Sequence, residues 1–161
     1  MIEIHECVEG DLTTVRELAE RSWWNGYKDV LSPEQITFML ENIYSINALE
    51  EAMMSGQIFY ILSQNTIPVG FMSVKTSIDM LRIEKLYLVP QVQGQGLGKV
   101  LIDHAASICR RCGLHTMELN VNRQNKAYFF YLKQGFSVLK EVDTPYYEFV
   151  LDDYVMRKHV I

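Results

Sequence analysis

The chain has 161 residues, 48% of them hydrophobic and 22% charged, which is the composition of a globular protein and excludes a disordered or fibrous one. This length suits a single domain spanning residues 1–161 with a hydrophobic core of its own. The net charge of −5, without a basic stripe, argues against nucleic acid as a partner. The sequence has no apolar run of the roughly 18 residues that span a membrane, and its first residues do not have the pattern of a signal peptide. We therefore expect a cytoplasmic protein.

The first part of the chain predicts one strand followed by three helices. Residues 1–7 alternate in polarity as a strand does, and the helical pattern that follows is expected to end at Asn25-Gly26. A second helix begins at Ser32, which is a favourable N-cap followed by proline. A third, shorter helix is expected to end at Gly56.

After residue 56 the hydrophobic period changes from that of helices to that of strands. The pattern predicts, in order, a hairpin over 57–76, a strand ending at Pro90, a helix from Gly98 to Cys112, a strand over 115–122, a short helix ended by Gly135, and two closing strands over 136–142 and 154–161. The sequence therefore predicts a mixed α/β protein whose front half is antiparallel.

Three glycines at alternate positions, Gly94, Gly96 and Gly98, lie between the strand and the helix. Glycine lets backbone N–H groups approach a ligand closely, and a helix N-terminus attracts anions, so this junction predicts a phosphate-binding site. A P-loop does not fit, because Val100 stands where that motif needs a hydroxyl for Mg²⁺. A dinucleotide fingerprint does not fit either, because Lys99 stands at its third glycine.

The pair Cys109 and Cys112 forms a C-x-x-C at the end of the predicted helix, before Gly113. The helix dipole opposes a thiolate at that end, and both cysteines are expected on the apolar face. We therefore interpret them as core residues rather than as a redox or zinc-binding pair.

Two segments together resemble the GNAT acetyltransferase superfamily. The pattern Q-x-x-G-x-G from Gln93 to Gly98 resembles its acyl-CoA loop, although many members have Arg where this chain has Gln93. The segment "NVNRQNKAYFFYLKQGF" resembles the family's N-x-x-A-x-x-F-Y-x-K-x-G-F, with Ala127 and Tyr131 in the matching positions and Asn125 one residue closer to the alanine than in that pattern. Within the superfamily, "RIEKLYLVPQVQGQGLGK" and "DDYVMRK" look like PaiA-type polyamine acetyltransferases.

The resemblance implies a fold and a cofactor. The fold is a mixed, mostly antiparallel central sheet of about seven strands with helices on both faces and a splayed acyl-CoA cleft. The cosubstrate is acetyl-CoA, no metal is expected, and small proteins of this kind often form homodimers. Cofactor contacts are expected from the backbone after the strand, from the loop and helix start, and from the downstream segment, which gives the set Leu88, Val89, Gln93, Gly94, Gln95, Gly96, Leu97, Gly98, Lys99, Asn125 and Tyr128. Asn125 has an alternative role as the N-cap of the following helix.

Tyr131 is the candidate general acid. Similar enzymes place a tyrosine here near the CoA sulfur, and a phenol is protonated at neutral pH and can donate its proton to a leaving thiolate. The alternative is that Tyr131 is one more ring in an aromatic helix.

Glu84 is the candidate general base, or the residue that orders a water acting as base. It lies in "IEKLYL", where spermidine/spermine acetyltransferases carry a carboxylate facing the amine. Strand alternation predicts that Glu84 shares a face with Leu86 while Lys85 points away. The structural alternative is an ion pair with a neighbouring base such as Arg82 or Lys75.

The acceptor is expected to contact Trp23, Trp24 and Tyr27, which follow each other at the predicted helix break, although core packing would also explain these rings. Residues 1–60 carry 11 acidic and 3 basic side chains, a net charge of −8, whereas residues 61–161 carry a net charge of +3. This asymmetry suits a cationic acceptor and an anionic cofactor, and ordinary solvated surface is the other explanation.

The function predicted from the sequence is therefore acetyl transfer from acetyl-CoA to a primary amine, with a small cationic amine such as a polyamine as the first candidate. Two alternatives remain open. The acceptor is a protein N-terminus or peptide amine, or the chain is a non-catalytic CoA-binding regulatory protein of the same fold.

Overall fold

A computed structural model describes residues 1–161, which form seven strands and five α-helices. The strands are β1 (Ile2–Glu6), β2 (Ile58–Gln64), β3 (Ile67–Thr76), β4 (Leu81–Leu88), β5 (Thr116–Asn122), β6 (Ser137–Tyr146) and β7 (Phe149–His159). The helices are α1 (Leu12–Tyr27), α2 (Pro33–Tyr44), α3 (Ile46–Met54), α4 (Leu97–Arg111) and α5 (Ala127–Lys133). None of the helices is long and apolar enough to cross a membrane.

All strands belong to one sheet in the order β1-β2-β3-β4-β5-β7-β6. Every neighbouring pair is antiparallel except β4 and β5, which run parallel. These two strands pair only between Leu81–Ile83 and Met117–Leu119, and the rest of each strand has no partner on that side. The sheet therefore splits beyond Ile83, which confirms the predicted mixed sheet with a splayed cleft.

Helices cover both faces of the sheet. On one face the ring of Tyr60 in β2 packs against His104 of α4, with 4.8 Å between ring centroids. Phe59, the residue before Tyr60, points to the opposite face of the sheet. On that face the ring of Tyr44 in α2 packs against Phe71, with 5.9 Å between ring centroids. The two layers enclose one continuous cluster of buried side chains.

Helix α1 does not end at Asn25-Gly26 as predicted but continues to Tyr27. Gly26 adopts helical conformation without a positive φ, because an isolated glycine weakens a helix without stopping it. The extension carries Tyr27 on the same helix face as Trp23, four residues earlier. Asn25 and Gly26, at which a break was predicted, are therefore part of the last turn of α1.

The expectation for the cysteine pair is half wrong. Cys109 is buried and its Sγ–H points at the carbonyl of Thr116, but Cys112 is exposed. Helix α4 ends at Arg111, so Cys112 lies in the turn before Gly113 instead of on the apolar face.

The two closing strands are longer than the sequence predicts and form one hairpin, with a turn at Tyr147 that has a φ of 55°. The tip of this hairpin packs on helix α2. The ring of Phe38 lies 6.0 Å from Tyr146, 5.0 Å from Tyr147 and 5.3 Å from Phe149, measured between ring centroids. The hairpin therefore reaches across the molecule from the C-terminal part of the sheet to the N-terminal helices.

Candidate active site

The split between β4 and β5 opens into a cleft with a volume of about 980 Å³. Its walls come from the end of α1, from β4 and β5, from the loop before α4 and from α5. The cleft exists because two parallel strands diverge, and groups that a sheet would normally pair are exposed there.

The loop before α4 presents free backbone donors to this cleft. Gly94 and Gly96 have φ values of +80° and +81°, which only glycine adopts easily, and both line the cleft with no atom near the position of a Cβ. None of the consecutive N–H groups from Gly94 to Lys99 has a hydrogen-bond acceptor in the chain. These N–H groups and the N-terminus of α4 fit an anion such as a pyrophosphate.

Side chains around the loop add positive charge and anchor it. Lys28, Lys99 and Lys126 border the cleft, and Lys99 also pairs with Asp103 at 2.7 Å on the exposed side of α4. The Nε2 of Gln93 donates to the carbonyl of Leu88 at 3.3 Å, which ties the loop to β4.

Of the two loop residues Gln95 and Leu97, only Leu97 lines the cleft. Leu97 is buried and lines it, whereas the side chain of Gln95 bonds to Gln64 at 3.1 Å and to the carbonyl of Gln91 at 3.5 Å. Any contact of Gln95 with a ligand is therefore through its free N–H and not through its amide side chain.

The backbone of β4 offers one of the two expected residues, Leu88, together with Leu86, which was not expected. Val89 is buried, its N–H donates to Val69 at 2.9 Å, and its carbonyl accepts from Val92 at 3.2 Å, so neither group is free and the expectation for Val89 is wrong. Successive backbone groups alternate sides along a strand, so the N–H groups of Leu86 and Leu88 point toward the split. Sequence reasoning missed Leu86, although the same alternation was available to it.

Tyr131 lies on α5 and its buried side chain lines the cleft. Its ring packs against Phe130 at 5.3 Å and Phe136 at 5.8 Å, which fixes its direction. Burial raises the pKa of Tyr131 above its ordinary value, and no hydrogen bond within the chain stabilises the phenolate. The phenol of Tyr131 is therefore protonated at neutral pH and able to donate.

The other two predicted residues of this segment behave differently. Asn125 lines the cleft while its Oδ1 accepts from the N–H of Ala127 at 2.9 Å, so it caps α5 and its Nδ2 remains for a ligand. Tyr128 does not line the cleft, because its ring packs against Tyr154 at 4.9 Å. Phe130 lines the cleft instead. The sequence could have indicated this, because Phe130 is three residues after Ala127, which also lines the cleft, and residues at this spacing share one face of a helix.

Glu84 lines the cleft, but on a different face from the one predicted. Ser73 pairs with Lys85 and Val74 pairs with Ile83, so Glu84 is the extra residue of a β-bulge. The bulge turns its carboxylate toward Arg82, whose Nε lies 3.6 Å from Oε1. The prediction that Glu84 shares a face with Leu86 and opposes Lys85 is therefore wrong, because it assumed unbroken alternation.

Of the three predicted acceptor-side rings, only Tyr27 lines the cleft. Its hydroxyl is 3.2 Å from that of Tyr87, and burial raises the pKa of both phenols. Trp23 is buried beneath them and donates from Nε1 to the hydroxyl of Tyr44 at 3.3 Å, as its core-packing alternative predicts. Trp24 is 41% exposed and lies outside the cleft.

The residues that complete the cleft wall were not singled out from the sequence. Several are polar or small residues from the last turn of α1 and the loop after it, from β5 and from the segments that flank α5: Asn25, Gly26, Lys28, Asp29, Asn120, Gln124, Lys126 and Gln134. Such residues carry no motif, and only the fold brings them together. No group of three or more His, Cys, Asp or Glu side chains could hold a metal ion.

Comparison with known proteins gives a consistent result. Residues 27–157 match the profile of a family described as an acetyltransferase (GNAT) domain. The spermidine N(1)-acetyltransferase of Thermoplasma acidophilum is 30% identical over 157 residues, which is 94% of this chain and 96% of that protein. The peptidyl-lysine N-acetyltransferase YjaB of Escherichia coli is 34% identical over 118 residues, or 71% of this chain and 70% of that protein.

The fold has a close match among solved structures. The crystal structure of the PaiA N-acetyltransferase of Thermoplasma acidophilum, in complex with coenzyme A, superposes with a TM-score of 0.84 and 29% sequence identity, covering 99% of each chain. The fold is therefore shared over the whole length.

Proposed function

We propose that this chain, which belongs to the acetyltransferase (GNAT) family, transfers the acetyl group of acetyl-CoA to a primary amine of a small cationic molecule, with polyamines first. As a member of that family it is an acetyl-CoA-dependent N-acetyltransferase. The proposal concerns the acceptor and the residues that carry the reaction.

One observation carries the proposal: a single cleft is bordered by the loop with free N–H groups, by the phenol of Tyr131 and by the carboxylate of Glu84. An anionic cofactor would be held at the loop, with Lys99, Lys126 and the Nδ2 of Asn125 as side-chain contacts. The free N–H groups of Leu86 and Leu88 would bind the extended arm of the same molecule.

Bound acetyl-CoA supplies an acetyl thioester, and the chain's residues deal with two protons. A primary amine has a pKa near 10.4, so at pH 7 only about one molecule in 10³ is neutral and able to attack. Glu84 accepts a proton from the bound ammonium, directly or through a water. Tyr131 donates its proton to the departing sulfur and recovers one from the amine nitrogen, which loses its second proton as the amide forms, so one proton in total leaves through Glu84. Such a positioned acid typically contributes a factor of about 10² to 10⁴ to the rate.

A cationic acceptor is supported by carboxylates in and beside the cleft. Glu84 and Asp29 line it, and Asp153, which does not, lies close enough to Tyr27 to affect the pKa of that phenol. These carboxylates attract ammonium groups, and the attraction weakens with salt because the Debye length falls to about 3 Å at 1 M. The similarity to a spermidine acetyltransferase points the same way.

A peptide amine is the second candidate, because the relatives also include protein acetyltransferases. Against it, the match to the spermidine acetyltransferase covers 94% of this chain, whereas the match to the peptidyl-lysine acetyltransferase of Escherichia coli covers 71%. We also propose that the protein is located in the cytoplasm, since all three of its cysteines are free. We further propose that it forms a homodimer, which a measurement of its mass in solution would test.

The test is the release of free CoA thiol from acetyl-CoA with a panel of spermidine, spermine, aminoglycosides, amino acids and a lysine peptide. We expect the highest kcat/KM for a polyamine, with a KM that increases with ionic strength. A neutral, acidic or peptide acceptor that works best while spermidine is inert would refute the polyamine assignment. The Glu84→Gln variant should lose more activity at low pH than at high pH, because the neutral amine increases about tenfold per pH unit below its pKa.

A further inference from the structure

A buried carboxylate lies beside the cleft without being part of it. The side chain of Glu118 in β5 is only 9% exposed and pairs with two arginines. Nη1 of Arg82 lies 2.9 Å from Oε2, and Nε of Arg157 lies 3.3 Å from Oε1. A carboxylate with so little exposure needs such partners, because burying an unpaired charge is costly.

Arg82 differs from Arg157 in the number of its partners. Besides Glu118, its Nη2 donates to Oδ1 of Asn120 at 2.8 Å, and its Nε faces Oε1 of Glu84 at 3.6 Å. Three nitrogens of one planar guanidinium thus point at three different side chains. The side chain of Arg157 is 42% exposed, and Glu118 is its one acidic partner.

The position of Arg82 explains why these contacts matter. Arg82 and Glu118 are paired residues of the parallel ladder, one position before the strands diverge. Glu84 follows two residues later as the bulged residue, and a bulge has no ladder bond to fix its direction. Its carboxylate is therefore directed by side chains, and the one cation within 4.0 Å is Arg82.

We propose that Arg82 is the positioning residue for Glu84, held in place by Glu118 and Asn120, and that it keeps the base directed at the acceptor. This inference rests on the proposed role of Glu84. Lysine cannot replace Arg82, because an ammonium is a single point of charge and cannot meet three partners in one plane. Asn120, which lines the cleft, is oriented by the same guanidinium.

The test is a double-mutant cycle with Arg82→Lys, Glu84→Gln and the double variant, measured as kcat and KM for spermidine. We expect Arg82→Lys to lower kcat about tenfold or more in the parent protein and less than about twofold when Glu84 is already Gln, since residues that act through one another are not additive. The matched control is Arg157→Lys, which removes the other cation of Glu118 and should change kcat less than about twofold in both backgrounds.

Each outcome decides the question. Equal losses from Arg82→Lys in both backgrounds would refute the inference while leaving Glu84 as the base. A Glu84→Gln variant as active as the parent would refute the role of Glu84 and the inference with it. The acetyl-CoA-induced shift in melting temperature should be the same in all variants, and Glu118→Gln, which keeps the shape of its side chain, provides a second cycle if Arg82→Lys folds poorly.

Discussion

Gly96→Ala should separate the backbone strain at the loop from the binding of the cofactor. With a φ of +81° and no atom within 4 Å of the new Cβ, alanine meets no clash in the free protein. The cost is the left-handed conformation itself, roughly 1–2 kcal/mol. For a chain of this size, about 2–4 °C of melting temperature corresponds to 1 kcal/mol, so the variant should melt roughly 2–8 °C lower.

The same Cβ would lie where an anion approaches the free N–H groups. A hydrogen bond to a charged group is worth about 1.5–3 kcal/mol, so losing one such contact should raise the Kd for acetyl-CoA roughly 10- to 150-fold. In the parent protein, acetyl-CoA at 100 times its Kd should add about 2.7 kcal/mol of stability, and at the same concentration the variant should lose roughly half to nine-tenths of this gain.

Gly113→Ala is the matched control. Gly113 has a φ of +71° and equally open space for a Cβ, but it lies after the other end of α4. It should lose the same stability and keep its affinity for acetyl-CoA, as measured by calorimetric titration and thermal melting. If Gly96→Ala binds acetyl-CoA as tightly as the parent, or if Gly113→Ala loses as much affinity, the assignment of the loop is wrong.

Three further outcomes are expected. Tyr131→Phe should lower kcat about 10²-fold or more with little change in KM, and an unchanged kcat would remove Tyr131 from the mechanism. Burial lowers the pKa of Lys85 from 10.5 to about 8, so between pH 8 and 10.5 this lysine is protonated in the unfolded chain and neutral in the folded one. The free energy of unfolding should therefore rise with pH across this window, by up to about 3 kcal/mol. Urea denaturation should show this rise in the parent and not in Lys85→Met. In Gly98→Ala the new Cβ would lie 2.7 Å from Cζ of Phe130, so the variant should lose about 1–3 kcal/mol, and Phe130→Leu should restore part of it; full stability in the single variant would contradict the packing.

The parts of the site that the sequence predicted are those where a residue type is required by the backbone. Gly94 and Gly96 were recognisable because few other residues tolerate positive φ, and the helix that follows them was predicted to within one residue at each end. Capping of α5 was the alternative role considered for Asn125, because short polar side chains are favoured there, and its Oδ1 accepts from the N–H of Ala127. The fold class followed from the change in hydrophobic period along the chain.

The parts that were missed depend on contacts between distant segments. The direction of Glu84 depends on an extra residue in β4 relative to β3, and pairing with β3 is invisible in β4 alone. Trp24 was grouped with Trp23 because the two are adjacent in sequence, yet adjacent residues of a helix point about 100° apart. Because α1 continues to Tyr27, Trp23 and Tyr27 lie on its buried face and Trp24 does not. The closing hairpin was predicted too short because Pro145 and the Asp152-Asp153 pair interrupt its alternation.

The short ladder between β4 and β5 has a consequence for how the molecule opens. It is the one place where the hydrogen-bonded network of β1 to β4 joins that of β5 to β7, and it consists of three residue pairs. Each half is otherwise bonded antiparallel within itself, so the two halves should behave as separate cooperative units in native-state hydrogen exchange. The amides among residues 81–83 and 117–119 that donate across this ladder should then exchange through a partial opening well below the global unfolding free energy. A ligand that spans the split should slow their exchange.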